Sequence, residues 1–191
     1  MPRRWKSLVA CSLLSGLLLT GCEPGNPRGA QTPTAPAPAP AADLSAGQYT
    51  LVESTLLSGL PRTSALIGST GGVLSLLGHT LSVPSGAVAQ PTLFTMTALP
   101  TGRIEVELLA LRISLLRQSI DVGSGGFQDG KTVRLTLSYA AATNVTDPSR
   151  LVVLYVRDDG AVEELPTTVD TVARTASVEL EHFSRYCMAM D

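Results

Sequence analysis

The sequence predicts an all-β fold, an antiparallel β-sandwich, carried behind an export leader and a Pro/Ala-rich spacer. Three observations predict it. From about residue 45 to 191 the chain is a succession of short aliphatic runs, several of them alternating apolar and polar residues with period 2. Gly and Pro interrupt those runs at short intervals, as in sandwiches and barrels. The stretch is also roughly 145 residues long, the size of one domain built on a single core.

The leader comes first. "MPRRWKSLVACSLLSGLLLTGC" places Arg3, Arg4 and Lys6 before a short apolar run from Leu8 to Leu19. A run of 12 residues is too short for a hydrocarbon layer that needs about 20, so residues 1–21 are expected to be a removable export signal. The residues Leu19-Thr20-Gly21-Cys22 resemble the bacterial lipobox, in which cleavage falls before a cysteine whose thiol receives diacylglycerol. The resemblance implies a lipidated Cys22. Two or more acyl chains anchor a protein stably where one does not, so the membrane is the first expected partner. Glu23 follows the cysteine; it is not the aspartate that holds some lipoproteins at the inner membrane, which points to the outer membrane or cell surface of a bacterium.

Residues 22–44, "CEPGNPRGAQTPTAPAPAPAADL", are rich in Pro, Ala, Thr and Gly and show no apolar periodicity. Such a segment buries too little to offset its ordering entropy and is expected to be a disordered tether. Alternating Ala-Pro favours polyproline II at about 3.1 Å per residue, a reach of roughly 70 Å; a floppy spacer of no set length is the other reading.

The domain, residues 45–191, is read in chain order. "LSAGQYTLVESTLLSGL" leaves a lead-in strand and a short helix both open. "GVLSLLG" and "HTLSVP" are strands meeting at Gly78, the second alternating Leu81 and Val83 with Thr80 and Ser82. "PTLFTMTAL" is a strand with Leu93 or Phe94 inward. "ELLALRISLLRQ" alternates Leu109, Leu111, Ile113 and Leu115 with Ala110, Arg112 and Ser114; strand is expected there over a helix, although Leu108, Leu111 and Leu115 also share a helical face. "KTVRLTLSY" turns Val133, Leu135 and Leu137 one way and Thr132, Arg134 and Thr136 the other. "RLVVLYVRDDGAVEEL" is a hairpin whose Asp159-Gly160 supplies positive φ. "TASVELEHFSRYCMAM" closes the domain. In "VPSGA", Pro84 cannot donate to a ladder and Gly86 admits conformations other residues resist, so residues 83–87 are expected to be a corner between sheets.

Residues 64–188 resemble the zonula-occludens and netrin-receptor domain, the ZU-five domain also found in ankyrins. The most specific matches are "VPSGA" at 83–87 and "HFSRY" at 182–186; residues 99–124 depart most from the pattern. The resemblance implies a β-sandwich used for structure or protein interaction. It also implies one chemical alternative, because some members cleave themselves between Phe and Ser of an "HFS" motif. Here the matching residues are His182, Phe183 and Ser184. Ser184 Oγ would attack the Phe183 carbonyl, His182 would act as base or polarise the amide, and water would resolve the ester. In a flat strand, however, residues i and i+2 lie too far apart for a short hydrogen bond. The expectation is a closing strand with Phe183 buried and His182, Ser184 and Tyr186 on the opposite face.

Other chemistry finds little support in the residues. Removing residues 1–21 takes Arg3, Arg4 and Lys6 and leaves 11 basic against 16 acidic residues, a formal net charge of −5. With no basic run, nucleic acid is not an expected partner. Cys11 leaves with the leader and Cys22 is lipidated, so Cys187 has no disulfide partner and is read as a small buried hydrophobe. His79, His182 and Cys187 would make a metal site only if folding gathered them, and "RDDGAVEE" reads as a hairpin tip rather than a calcium loop. No metal, cofactor or catalytic group is expected. A glycan is a possible partner, but Trp5, the sole Trp, leaves with the leader. The expected function is a lipid-anchored envelope protein displaying a non-enzymatic module to an envelope protein or glycan.

Overall fold

The computed structural model describes residues 48–55, 59–113, 119–121 and 127–191. The leader, Cys22, the tether and residues 114–118 of the "ELLALRISLLRQ" stretch lie outside the described residues. The domain is an all-β sandwich of two antiparallel sheets. In chain order the strands are β1 Thr50–Leu51, β2 Arg62–Ile67, β3 Gly72–Leu76, β4 His79–Val83, β5 Thr92–Ala98, β6 Glu105–Ile113, β7 Ser119–Asp121, β8 Val133–Ser138, β9 Leu151–Val156, β10 Val162–Leu165, β11 Thr168–Asp170, β12 Thr175–Leu180 and β13 Arg185–Met190.

One sheet runs β10-β9-β13-β6-β5-β2, with β1 on β13 and β7 on β6; the other runs β11-β12-β8-β4-β3. Each sheet turns one face inward. Phe94, Met96, Val106, Leu108, Tyr186 and Met188 from the first meet Leu74, Leu81, Leu135, Leu137, Val178 and Leu180 from the second in one buried cluster. Each such aliphatic side chain gains about 2 kcal/mol by leaving water. On β8 the alternation is as expected: Val133, Leu135 and Leu137 are buried, while Arg134 and Thr136 face out. Arg134 Nε donates to Glu179 at 2.6 Å on the neighbouring β12, and the Thr136 and Ser177 hydroxyls pair at 2.9 Å.

The stretch at 107–113 is strand, as expected. Val106, Leu108 and Ala110 face the core, whereas Leu109 and Leu111 are half-buried on the other face. Pairing decides it. Ala110 lies opposite Phe94 across β5–β6, so the small side chain takes the place beside the bulky ring.

Two turns carry the chain between neighbours. Leu77 and Gly78 join β3 to β4 with φ of 52° and 85°, the two positive values of a tight hairpin turn. Residues 83–87 form the corner from β4 in one sheet to β5 in the other, pinned by Gly86 N–H donating to Ser69 O at 2.7 Å and Lys131 Nζ to Ser85 O at 2.8 Å. Gly71 (φ 76°) makes this possible: a Cβ there would collide with the Val83 carbonyl oxygen and Pro84. The lead-in segment is strand-like. Val52, fully buried, exchanges bonds with Met188 and Ile104 at 2.9 Å and closes one end of the sandwich.

The final run is not one element. β12 belongs to the second sheet and β13 to the first, and residues 181–184 cross between them. No helix among the described residues is long and apolar enough to cross a membrane.

Candidate functional site

The crossing at 181–184 carries the His-Phe-Ser motif, so these residues do not sit in a strand as expected. The polypeptide leaves the β12 ladder at Leu180 and must pass from one sheet to the other, a step a flat ladder cannot make. Phe183 makes that passage an apolar one. Its ring is 8% exposed and packs edge-on against Phe94 (5.7 Å between centroids, 76°) and Phe127 (5.1 Å, 68°). Its flanking residues are held separately. The His182 ring lies edge-on to Tyr155 at 4.9 Å, and the His182 carbonyl accepts the Tyr186 hydroxyl at 2.6 Å. Ser184 Oγ donates to the Val156 carbonyl at 3.4 Å, and the Ser184 carbonyl accepts from Leu108 N–H at 2.9 Å. The serine hydroxyl is therefore bonded to β9 rather than to His182. Tyr186 is a core residue, 1% exposed, and not a neighbour of His182 on an outer face. Burial raises its phenol pKa well above the ordinary value, and nearby Tyr155 adds to the effect.

His79 and His182 lie at opposite ends of the sandwich. His79 Nδ1 accepts from Ser138 N–H at 3.0 Å, at the end of β8, whereas Leu180, two residues before His182, pairs with Val133 at its start. Five strand residues separate the two, about 17 Å. Cys187 is on the outer face of β13, buried with Val152, Leu154, Val156 and Ala189. The three residues are not gathered, and no group of three His, Cys, Asp or Glu among the described residues is placed to hold a metal.

Burial pushes the Cys187 thiol up to about 12, and the neighbouring Glu105 carboxylate acts in the same direction. Glu105, 3% exposed, pairs with Arg185 at 3.4 Å. An acid this deeply buried needs such a cation. Neither the position of Glu105 nor its partner was legible in the sequence.

Two further features are exposed. β2 and β3 are the edge strands of their sheets on the same flank, joined through the turn at 68–71, and carry Leu66 (65% exposed) and Val73 (63% exposed). An edge strand presents unpaired backbone groups to any segment that can lie beside it. At one end of the sandwich, a cavity of about 260 Å³ is lined by His79, Arg103 and Ser138 among others. His79 is 7% exposed, and burial lowers its pKa to about 4, so its imidazole is neutral at pH 7.

Comparison with known proteins finds no family model that matches the chain and no curated protein significantly similar to it.

Proposed function

We propose that this protein is a lipid-anchored lipoprotein of a bacterial cell envelope that displays a β-sandwich, similar to the ZU-five domain, as a non-enzymatic interaction module. The observation that carries the reading is Leu-Thr-Gly-Cys at 19–22, placed directly after a charged and then apolar leader and directly before a tether rich in Pro and Ala. A sandwich whose two edge strands lie on one flank with Leu66 and Val73 exposed suits a partner that adds a strand. The partner is an envelope protein. The module acts by position, held outside the cytoplasm and presented to it.

The test is photo-crosslinking in cells. A crosslinking amino acid at Leu66 or Val73 is expected to capture one discrete partner that the same group at exposed Val172 does not capture. Equal capture from all three positions would remove the β2–β3 flank from the proposal. The bond between Phe183 and Ser184 is expected to stay intact, so denaturing mass spectrometry of the purified protein gives no fragment ending at Phe183.

A further inference from the structure

The cavity at the His79 end of the sandwich is lined by residues of both sheets. One part of its lining is the two-residue turn between β3 and β4, where Leu77 takes a left-handed conformation at φ 52° that costs a non-glycine residue about 1 kcal/mol or more. Ile104, from the connection leading into β6, forms an apolar wall.

Several polar residues line the space, His79, Ser138 and Arg103 among them. His79 is more than nine-tenths buried, and its Nδ1 is occupied as the acceptor of Ser138 N–H. A neutral imidazole carries its proton on the other nitrogen. Nε2–H is thus a donor, and it has no partner among the described residues. The Ser138 hydroxyl accepts from Ala140 N–H at 3.3 Å and retains its own proton to give. Arg103 lines the same space and enters no ion pair among the described residues. Glu105 also lines it, and its charge is answered by Arg185. Of the two charged residues lining the cavity, only Glu105 is answered by an ion pair among the described residues, and His79 and Ser138 bring donors to it.

Unpaired donors around a partly open pocket call for an acceptor-rich ligand, and a guanidinium calls for a planar anion that it can grip with two parallel hydrogen bonds. We propose that this cavity binds a small carboxylate ligand of sugar-acid or amino-acid size. Arg103 holds the carboxylate, His79 Nε2 and Ser138 Oγ donate to it or to a neighbouring hydroxyl, and Leu77 and Ile104 pack on the carbon skeleton. The site is independent of the β2–β3 flank, so it stands or falls apart from the partner proposed there.

The experiment is an NMR titration of the intact ¹⁵N-labelled protein in detergent micelles. Glucuronate, N-acetylalanine and neutral methyl glucoside are the probes. Saturable shifts are expected for the Ser138 amide and the His79 Nε2 resonance with at least one carboxylate, and none with methyl glucoside. Arg103→Gln, at a partly exposed position, is expected to keep the folded spectrum and weaken binding about tenfold or more, the loss that follows from removing a charge-assisted pair. His79→Asn keeps an acceptor for Ser138 N–H and removes the Nε2 donor, so it is expected to weaken binding while preserving the Ser138 environment. Response to glucuronate alone identifies a sugar acid as the source, response to N-acetylalanine alone a chain-end carboxylate, and response to both recognition of the carboxylate itself. The proposal is overturned by no saturable shift up to about tenfold above a millimolar Kd, by an equal response to methyl glucoside, or by unchanged affinity in Arg103→Gln.

Discussion

Acid should weaken this domain through His79 at pH values where most carboxylates are still charged. The imidazole is buried, its Nδ1 accepts a backbone N–H from Ser138, and desolvation lowers its pKa from 6.5 to about 4. Protonation would turn that acceptor into a second donor facing Ser138 N–H. The cost is that of desolvating the new charge, and the nearby Glu105 carboxylate is already engaged by Arg185. The unfolded chain takes up the proton near pH 6.5 and the folded chain only near pH 4, so the unfolded state binds more protons between those values. Stability is therefore full above pH 6.5 and is lost as pH falls toward about 4. At 1.36 kcal/mol per decade of differential affinity, the loss attributable to His79 is about 2 kcal/mol from pH 7 to pH 5 and about 3 kcal/mol by pH 4. Urea unfolding at pH 7, 6, 5 and 4 measures it, with His79→Asn as the reference. Asparagine keeps the acceptor and cannot titrate, and the carboxylates common to both proteins cancel in the difference. The stability gap between the two proteins should shift by about 2 kcal/mol from pH 7 to pH 5, with wild type losing more. Parallel pH profiles would refute the reasoning.

Three other perturbations follow from the packing. Phe183→Ala empties the space beneath the Phe94 and Phe127 rings and should cost about 3–4 kcal/mol in denaturant unfolding; a cost below about 1 kcal/mol would mean the ring is not anchoring the crossing. Gly71→Ala forces a Cβ into the Val83 carbonyl and Pro84 at positive φ, and should cost more than about 1 kcal/mol or prevent folding. Gly102→Ala, also at positive φ but in open space, should cost less, and equal losses would remove the steric argument. Cys187, held near 12 and buried, should not react with a thiol reagent at pH 8 until the domain unfolds; rapid stoichiometric labelling of the native protein would show that the outer face of β13 is open.

Much of the sandwich was legible because several strands bury only one face. In β8 each apolar residue alternates with a polar one, and a single register satisfies the pattern. The "VPSGA" corner was legible for a different reason, since Pro84 and Gly86 each exclude the ladder by their own chemistry. β6 was harder. "LLALRI" offers apolar residues to both faces, and what chose Leu108 over Leu109 was Phe94 across the β5 pairing, information the local sequence does not hold. β2, "RTSALI", is an edge strand with too few apolar residues to announce itself. The His-Phe-Ser crossing read as strand because no Gly or Pro breaks the run between β12 and β13. The His79 cavity was hidden for a topological reason. Its parts come from residues 77–79, 103–104 and 138, and only folding makes Ser138 the neighbour of a histidine 59 positions earlier.

The proposed function rests above all on Cys22 beginning the mature protein and carrying lipid. Intact mass spectrometry of the protein purified from bacterial cells, with and without inhibition of lipoprotein signal peptidase, decides this. The expected product is a chain starting at Cys22 with an added diacylglycerol mass, which partitions into detergent, and a longer precursor under inhibition. A chain of the same unlipidated mass in both conditions, remaining in the aqueous phase, would contradict it.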